Sequence, residues 1–223
     1  MNFIDDSIFK TKWYLKNRLK INRSGRVKEA SKEFDKFINT LPKNSLVIDL
    51  GANVGKFTNI FLNKGFKVQA FEPDPIAIKE LKKLCDDANG NLKLFEVAVG
   101  IENKLKKLYR YRKFDTDNPE TTIGSSLLSF RSGQNKPSVD IECIDFIHYL
   151  KNIDTKIALL KMDIEGAEIE ILEKIIDEGL HKSIGRIFVE THERFSHRIA
   201  IKTVNLRLRL VKENINNINL NWG

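Results

Sequence analysis

Three apolar runs in this sequence end in acids, and a glycine-bracketed turn follows the first of them. LVIDLGANVGKFT (46–58) carries Asp49, then Gly51 and Gly55 on either side of Ala52, Asn53 and Val54. KVQAFEP (67–73) ends in Glu72, and IALLKMDIEG (157–166) ends in Asp163 and Glu165. A carboxylate at the end of a buried run is costly unless something uses it. A glycine turn between strand and helix can present N–H groups to an anionic ligand. Gly51 permits the sharp turn, and Gly55 permits close packing or close ligand approach. Glu72 lies 21 residues after Gly51, where a strand-end carboxylate can accept hydrogen bonds from both hydroxyls of a ribose. Together these features describe a nucleoside with a small anionic arm.

The spacing narrows the choice of nucleoside. A dinucleotide turn needs a middle glycine for close approach to a pyrophosphate, and Asn53 occupies that place. A P-loop needs Gly-Lys-Ser/Thr, whereas Gly55 and Lys56 are followed by Phe57. Asp49 ahead of the turn would repel a pyrophosphate but could hold an amino acid's ammonium. A ligand with ribose, carboxylate and ammonium is S-adenosylmethionine, and the chemistry it serves is methyl transfer.

The elements that position these groups alternate. Strands are expected at 45–51, 67–73, 92–100, 157–166 and 186–193, with helices at 56–63, about 75–88 and 168–180 between them. Apolar strands alternating with helices predict an α/β doubly wound, Rossmann-like domain with a mostly parallel sheet. Residues 7–39 read as a helix with Phe34, Phe37 and Ile38 on its apolar face. Residues 1–44 are thus expected to form an N-terminal helical extension to a domain spanning 45–223. Residues 101–147 interrupt the alternation and are expected to be an acceptor-binding excursion. Within it, KLKKLYRYRK (104–113) is basic with Tyr109 and Tyr111 interleaved. It suits either acceptor anions and sugar rings or an amphipathic edge strand. LRLRLV (206–211) alternates like an edge strand, with a helix as the other reading.

VIDLGANVGKFT, FEPDP (71–75), VAVG (97–100), SSL (125–127), KMDIEGAE (161–168) and VETHE (189–193) resemble the FkbM family of S-adenosylmethionine-dependent methyltransferases. The resemblance covers about Ser45 to Glu193. It implies a seven-stranded sheet whose last strands are antiparallel, and O-methylation, most often of sugars in glycans or natural products. With the turn, it assigns cofactor contacts to Asp49, Gly51, Ala52, Asn53, Gly55, Phe57, Thr58, Glu72, Pro73, Val97, Ala98 and Asp163.

Methyl transfer to a hydroxyl needs alignment of acceptor with donor and a group to take the hydroxyl proton. Asp163, Glu165 and His192 are the candidates, on the same expected sheet edge as Asp49 and Glu72. Glu165 and Glu168 could instead favour a helix's first turn. Asp163, Glu190 and His192 offer a possible divalent-metal set, although a metal is not expected.

Composition bounds the remaining choices. The 223 residues carry a net charge of +8. Residues 1–32 hold nine Lys and Arg against three Asp and Glu, residues 181–223 hold eight against three, and the middle is slightly acidic. Basic ends suggest an anionic acceptor, nucleic acid or weak contact with a membrane surface. Base N-methylation is disfavoured, because Asp163-Ile-Glu-Gly stands where an Asn/Asp-Pro-Pro-aromatic motif would be. RNA ribose methylation remains an alternative, as does a non-catalytic cofactor-binding or membrane-surface protein. Cys85 and Cys143 lack metal or redox spacing and read as reduced core thiols. No run approaches the ~20 apolar residues of a membrane span, no secretory signal is visible, and a cytoplasmic protein is expected. An oligomer is compatible with the sequence but not required by it.

Overall fold

The computed structural model describes residues 23–110, 115, 118–122, 124–127 and 137–223. The first part of the expected N-terminal helix, Tyr111 and part of the 101–147 excursion lie outside them.

Six strands form the main sheet: β1 (Leu46–Leu50), β2 (Lys67–Phe71), β3 (Leu92–Phe95), β7 (Ile157–Met162), β8 (Ile184–Glu190) and β9 (Ile218–Trp222). Their order is β3-β2-β1-β7-β8-β9, and every pairing is parallel. This is the doubly wound, Rossmann-like architecture expected from the sequence, with two corrections. Among the described residues the main sheet has six strands rather than seven, and its last strand is parallel to its neighbour rather than antiparallel. The chain winds one way through β2 and β3 and the other way through β7 and β8. A crevice therefore opens at the carboxyl ends of β1 and β7, where ligands bind in such sheets.

Helices cover both faces because side chains alternate along each strand. Ile48 and Leu50 of β1 face a cluster built with α4 (Phe146–Lys151), α5 (Glu168–Asp177) and α6 (His197–Lys212). Val47 faces the other way, toward α1 (Arg23–Thr40), α2 (Lys56–Asn63) and α3 (Pro75–Asp87). The first helix is thereby part of the core. Its Phe34 is fully buried and packs edge-on against Phe57 and Phe188, with Trp222 of β9 tilted beside it.

The 101–147 excursion contributes β5 (Lys104–Tyr109) and β6 (Ser138–Asp145) to a second sheet, completed by β4 (Ala98–Gly100) and ordered β4-β6-β5 among the described residues. The strand expected over 92–100 is thus two strands in different sheets. Lys104–Tyr109 of the basic run forms an edge strand here. Leu108 turns inward, Leu105 is exposed, and Lys107 pairs across the strands with Asp140 at 3.0 Å.

LRLRLV is helical, within α6. Leu206 and Leu210, one helical turn apart, are buried with Val204 and Ile199, so the run satisfies a 3.6-residue period as well as a two-residue one. The edge strand expected there is instead β9, after the helix ends. Cys143 is buried and Cys85 half-buried, both as free thiols. No helix among the described residues is long and apolar enough to cross a membrane.

Candidate active site

A cavity of about 490 Å³ opens at the carboxyl ends of the strands, between the turn after β1 and the turn after β7. The first turn is held by glycine for a steric reason. Gly51 has φ +72°, and a Cβ there would sit 1.8 Å from the carbonyl oxygen of Asp163. Asn53 also adopts a left-handed conformation, at φ 51°. Its backbone N–H donates to Glu72 Oε2 at 2.8 Å, and its own Oδ1 accepts the Val54 N–H at 2.7 Å. Gly51 and Ala52 donate to the Phe71 carbonyl, and Gly55 to that of Ala52. All five N–H groups of the turn are therefore used within the protein. Lys56 and Lys161 line the cavity at this end.

FEPDP does two jobs after β2. Glu72 lines the cavity, with Oε1 accepting the Asp74 N–H at 2.9 Å. Asp74 caps α3 by accepting the Ile76 N–H, with Pro75 preset at the first helical position. The buried Arg110 pairs with Asp74 and ties the excursion to this motif. Burial pushes the Glu72 carboxyl up to about 7, against the lowering effects of the Asn53 N–H and of Lys161. A raised carboxyl pKa means the folded state holds this proton more tightly than the unfolded chain does. Its stabilising contribution is full below about pH 4.5 and disappears as pH rises through 7. Between pH 5 and pH 8 the wild type is expected to lose on the order of 2 kcal/mol relative to Glu72→Gln. Urea unfolding of both proteins at the two pH values measures this, and a constant difference would contradict it.

Asp49 does not reach the cavity, which corrects its expected role as a ligand-ammonium partner. It is fully buried. Its Oδ2 accepts the Thr58 hydroxyl at 2.8 Å, and its Oδ1 pairs with Lys161 Nζ at 2.9 Å. The two residues sit side by side in the β1–β7 register. Lys161 also donates to the Gly51 carbonyl at 2.7 Å, so the ion pair braces the base of the turn. Burial works against the Lys161 charge, but Asp49, Asp163 and Glu72 together hold its pKa above the usual lysine value. Thr58 and Gly55 likewise stand behind the cavity wall, with Gly55 packed against Leu81 and Leu84. The expected residues Gly51, Ala52, Asn53, Phe57, Glu72, Pro73, Val97, Ala98 and Asp163 do line it. Val99, Leu108 and Leu127 add apolar wall.

The second turn brings the three acceptor-side candidates together. Asp163 and Glu165 line the cavity, and Glu165 has φ 59°. His192, just past β8, lies directly behind them and is only 1% exposed. Its Nε2 is 3.3 Å from Glu165 Oε2 and 3.7 Å from Asp163 Oδ1. Its Nδ1 is 2.8 Å from Glu168 Oε1, and the same Glu168 oxygen accepts the N–H groups of Ile164 and Gly166. Burial lowers the His192 pKa, but Glu168 and the other nearby carboxylates outweigh it and leave it raised. Burial also pushes Asp163 up to about 7, despite Lys161. Ser126 Oγ donates to the Glu165 carbonyl at 2.6 Å, and the Thr122 hydroxyl meets Asn53 Oδ1 at 3.3 Å. The excursion therefore closes over both turns. Sequence reasoning missed Lys161 and the bracing role of Glu168. The apolar-acid pattern around 161–168 contained both, but their partners come from distant segments.

The parallel sheet, the glycine turn at its switch point and the strand-end carboxylate define a Rossmann-like domain with a nucleoside-type site. Comparison with known proteins supports that class and narrows it. The chain belongs to the methyltransferase FkbM domain family, whose model matches residues 49–216. It is 26% identical over 195 residues to methyltransferase sdnD of Sordaria araneosa, with 70% of each chain covered. It is 24% identical over 153 residues to methyltransferase 1 of Beauveria bassiana (strain ARSEF 2860), with 61% of each covered.

Proposed function

We propose that this methyltransferase uses S-adenosylmethionine to methylate a hydroxyl of a sugar, a glycan or a related small molecule. The observation that carries the reading is one cavity with a ribose-type carboxylate, Glu72, on one side and Asp163 and Glu165 on the other. The residues present suit the donor. Each Glu72 oxygen accepts one backbone N–H, which leaves lone pairs for two ribose hydroxyls. Phe71, Val97, Val99 and Leu108 give an apolar slot for a base. Lys56 stands at the open end for a carboxylate.

When bound, S-adenosylmethionine supplies a methyl group already activated on a positive sulfur. The chain's own task is then alignment and proton removal. Asp163 and Glu165 face the cavity and can accept a hydrogen bond from an acceptor hydroxyl, which orients its oxygen. His192, held by Glu168, keeps the two carboxylates in place from behind. Ser125, Leu127 and Thr122 add to the excursion's part of the wall and limit what can enter.

A screen with methyl-labelled S-adenosylmethionine over sugars, nucleotide sugars, small alcohols and short RNAs tests the acceptor class. Label transfer to a sugar hydroxyl is expected. Transfer only to RNA would overturn the small-molecule reading.

A further inference from the structure

The acceptor-side cluster has the form of a cation site, a reading that rests on the function proposed above. We propose that Asp163, Glu165 and His192 bind one divalent cation of the Mg²⁺/Mn²⁺ class, which holds the acceptor oxygen. One ligand atom from each residue lies within 4.8 Å of the others. Cation–oxygen bonds of 2.0–2.1 Å in octahedral geometry place neighbouring ligands about 3 Å apart. The separations of 3.3 Å and 3.7 Å from His192 Nε2 to the two carboxylates are close to that before any ion draws them in.

The imidazole supports the proposal independently of the acids. Glu168 Oε1 already accepts two backbone N–H groups and meets His192 Nδ1 at 2.8 Å. This network assigns the proton to Nδ1 and turns the Nε2 lone pair toward Asp163 and Glu165. A carboxylate behind a histidine is the usual orienting partner of a metal-bound imidazole. Among the described residues, none donates a hydrogen bond to the buried Asp163 Oδ1. The nearby cation Lys161 is engaged by Asp49 and the Gly51 carbonyl. Glu190 Oε1, 3.9 Å from Nε2, is a fourth donor within reach.

Two carboxylates and one imidazole make an oxygen-rich set, which favours Mg²⁺ or Mn²⁺ over thiolate-seeking ions. Because Asp163 and Glu165 line the cavity, a cation between them keeps positions open for the acceptor. A hydroxyl on it becomes more acidic and releases its proton to water. The new oxygen–carbon bond then forms as the methyl–sulfur bond breaks, with that electron pair remaining on the sulfur.

Binding of Mn²⁺ to the chelator-treated full chain, followed by electron paramagnetic resonance and calorimetry, tests the site without any acceptor. One site per chain is expected, with Mg²⁺ competing. Asp163→Asn, Glu165→Gln and His192→Gln should each weaken it at least tenfold, with melting curves checking that each variant is folded. Asp163→Asn and Glu165→Gln alter cavity-wall side chains and serve if the buried His192→Gln does not fold. No Mn²⁺ binding, or binding unchanged in the folded variants, overturns the site. Calorimetry with S-adenosylmethionine on the same samples separates the outcomes, because donor binding without Mn²⁺ binding leaves the methyltransferase reading standing.

Discussion

Lys161→Met is expected to destabilise the protein by about 3–5 kcal/mol, the cost of leaving one member of a buried ion pair uncompensated. Asp49 is fully buried and Lys161 is 2% exposed, and the remaining hydrogen bond to Asp49 comes from the neutral Thr58 hydroxyl. At this chain length the loss corresponds to a fall in Tm on the order of 10 °C. The double variant Asp49→Asn/Lys161→Met keeps an acceptor for Thr58 and removes the stranded charge, so it should recover most of the loss. Thermal melts of the wild type, both single variants and the double variant measure the coupling. A loss below about 1 kcal/mol in Lys161→Met would show that the pair does not brace the turn.

Asp163→Asn is expected to lower turnover by about 10²–10⁴-fold, the range for a residue on which acceptor positioning and proton loss depend. S-adenosylmethionine affinity should change far less, because the ribose contact proposed for Glu72 is untouched. The substitution keeps size and shape, so the backbone contact between the Asp163 N–H and the Leu50 carbonyl survives. Steady-state rates and donor calorimetry on the same preparation separate the two effects. Near-normal turnover would remove Asp163 from the chemistry. An equal loss of donor binding would place it in the donor half of the cavity.

The side of the cavity built by the turn after β1 and by Glu72 was legible in the sequence because its signals are local. Gly51, Asn53 and Glu72 lie within one strand–helix–strand unit, and a turn that needs a left-handed residue announces itself as glycine or asparagine. The helices were legible where apolar spacing and a cap agreed, as at Asp74 and Pro75. What stayed hidden depends on contacts between distant segments. Asp49 looked available because the parallel register that sets it beside Lys161 joins residues more than 100 positions apart. His192 could be placed near the cavity edge, but its buried Glu168 partner could not be read from spacing alone. Leu206 to Leu210 fits two periods at once, so only packing decides between helix and strand. The parallel pairing of β9 with β8 depends on a return path after α6 that no local pattern marks.

The central claim is that the cavity between Glu72 and Asp163 is an S-adenosylmethionine site. Calorimetric titration of S-adenosylmethionine into the wild type and into Glu72→Ala at pH 8, where the Glu72 carboxylate is ionised, tests it most directly. The expected result is one site per chain in the wild type and a loss of affinity of at least 30-fold in a folded Glu72→Ala protein, about 2 kcal/mol for two charge-assisted hydrogen bonds. Equal affinity in the two proteins, or no binding to the wild type, would contradict it.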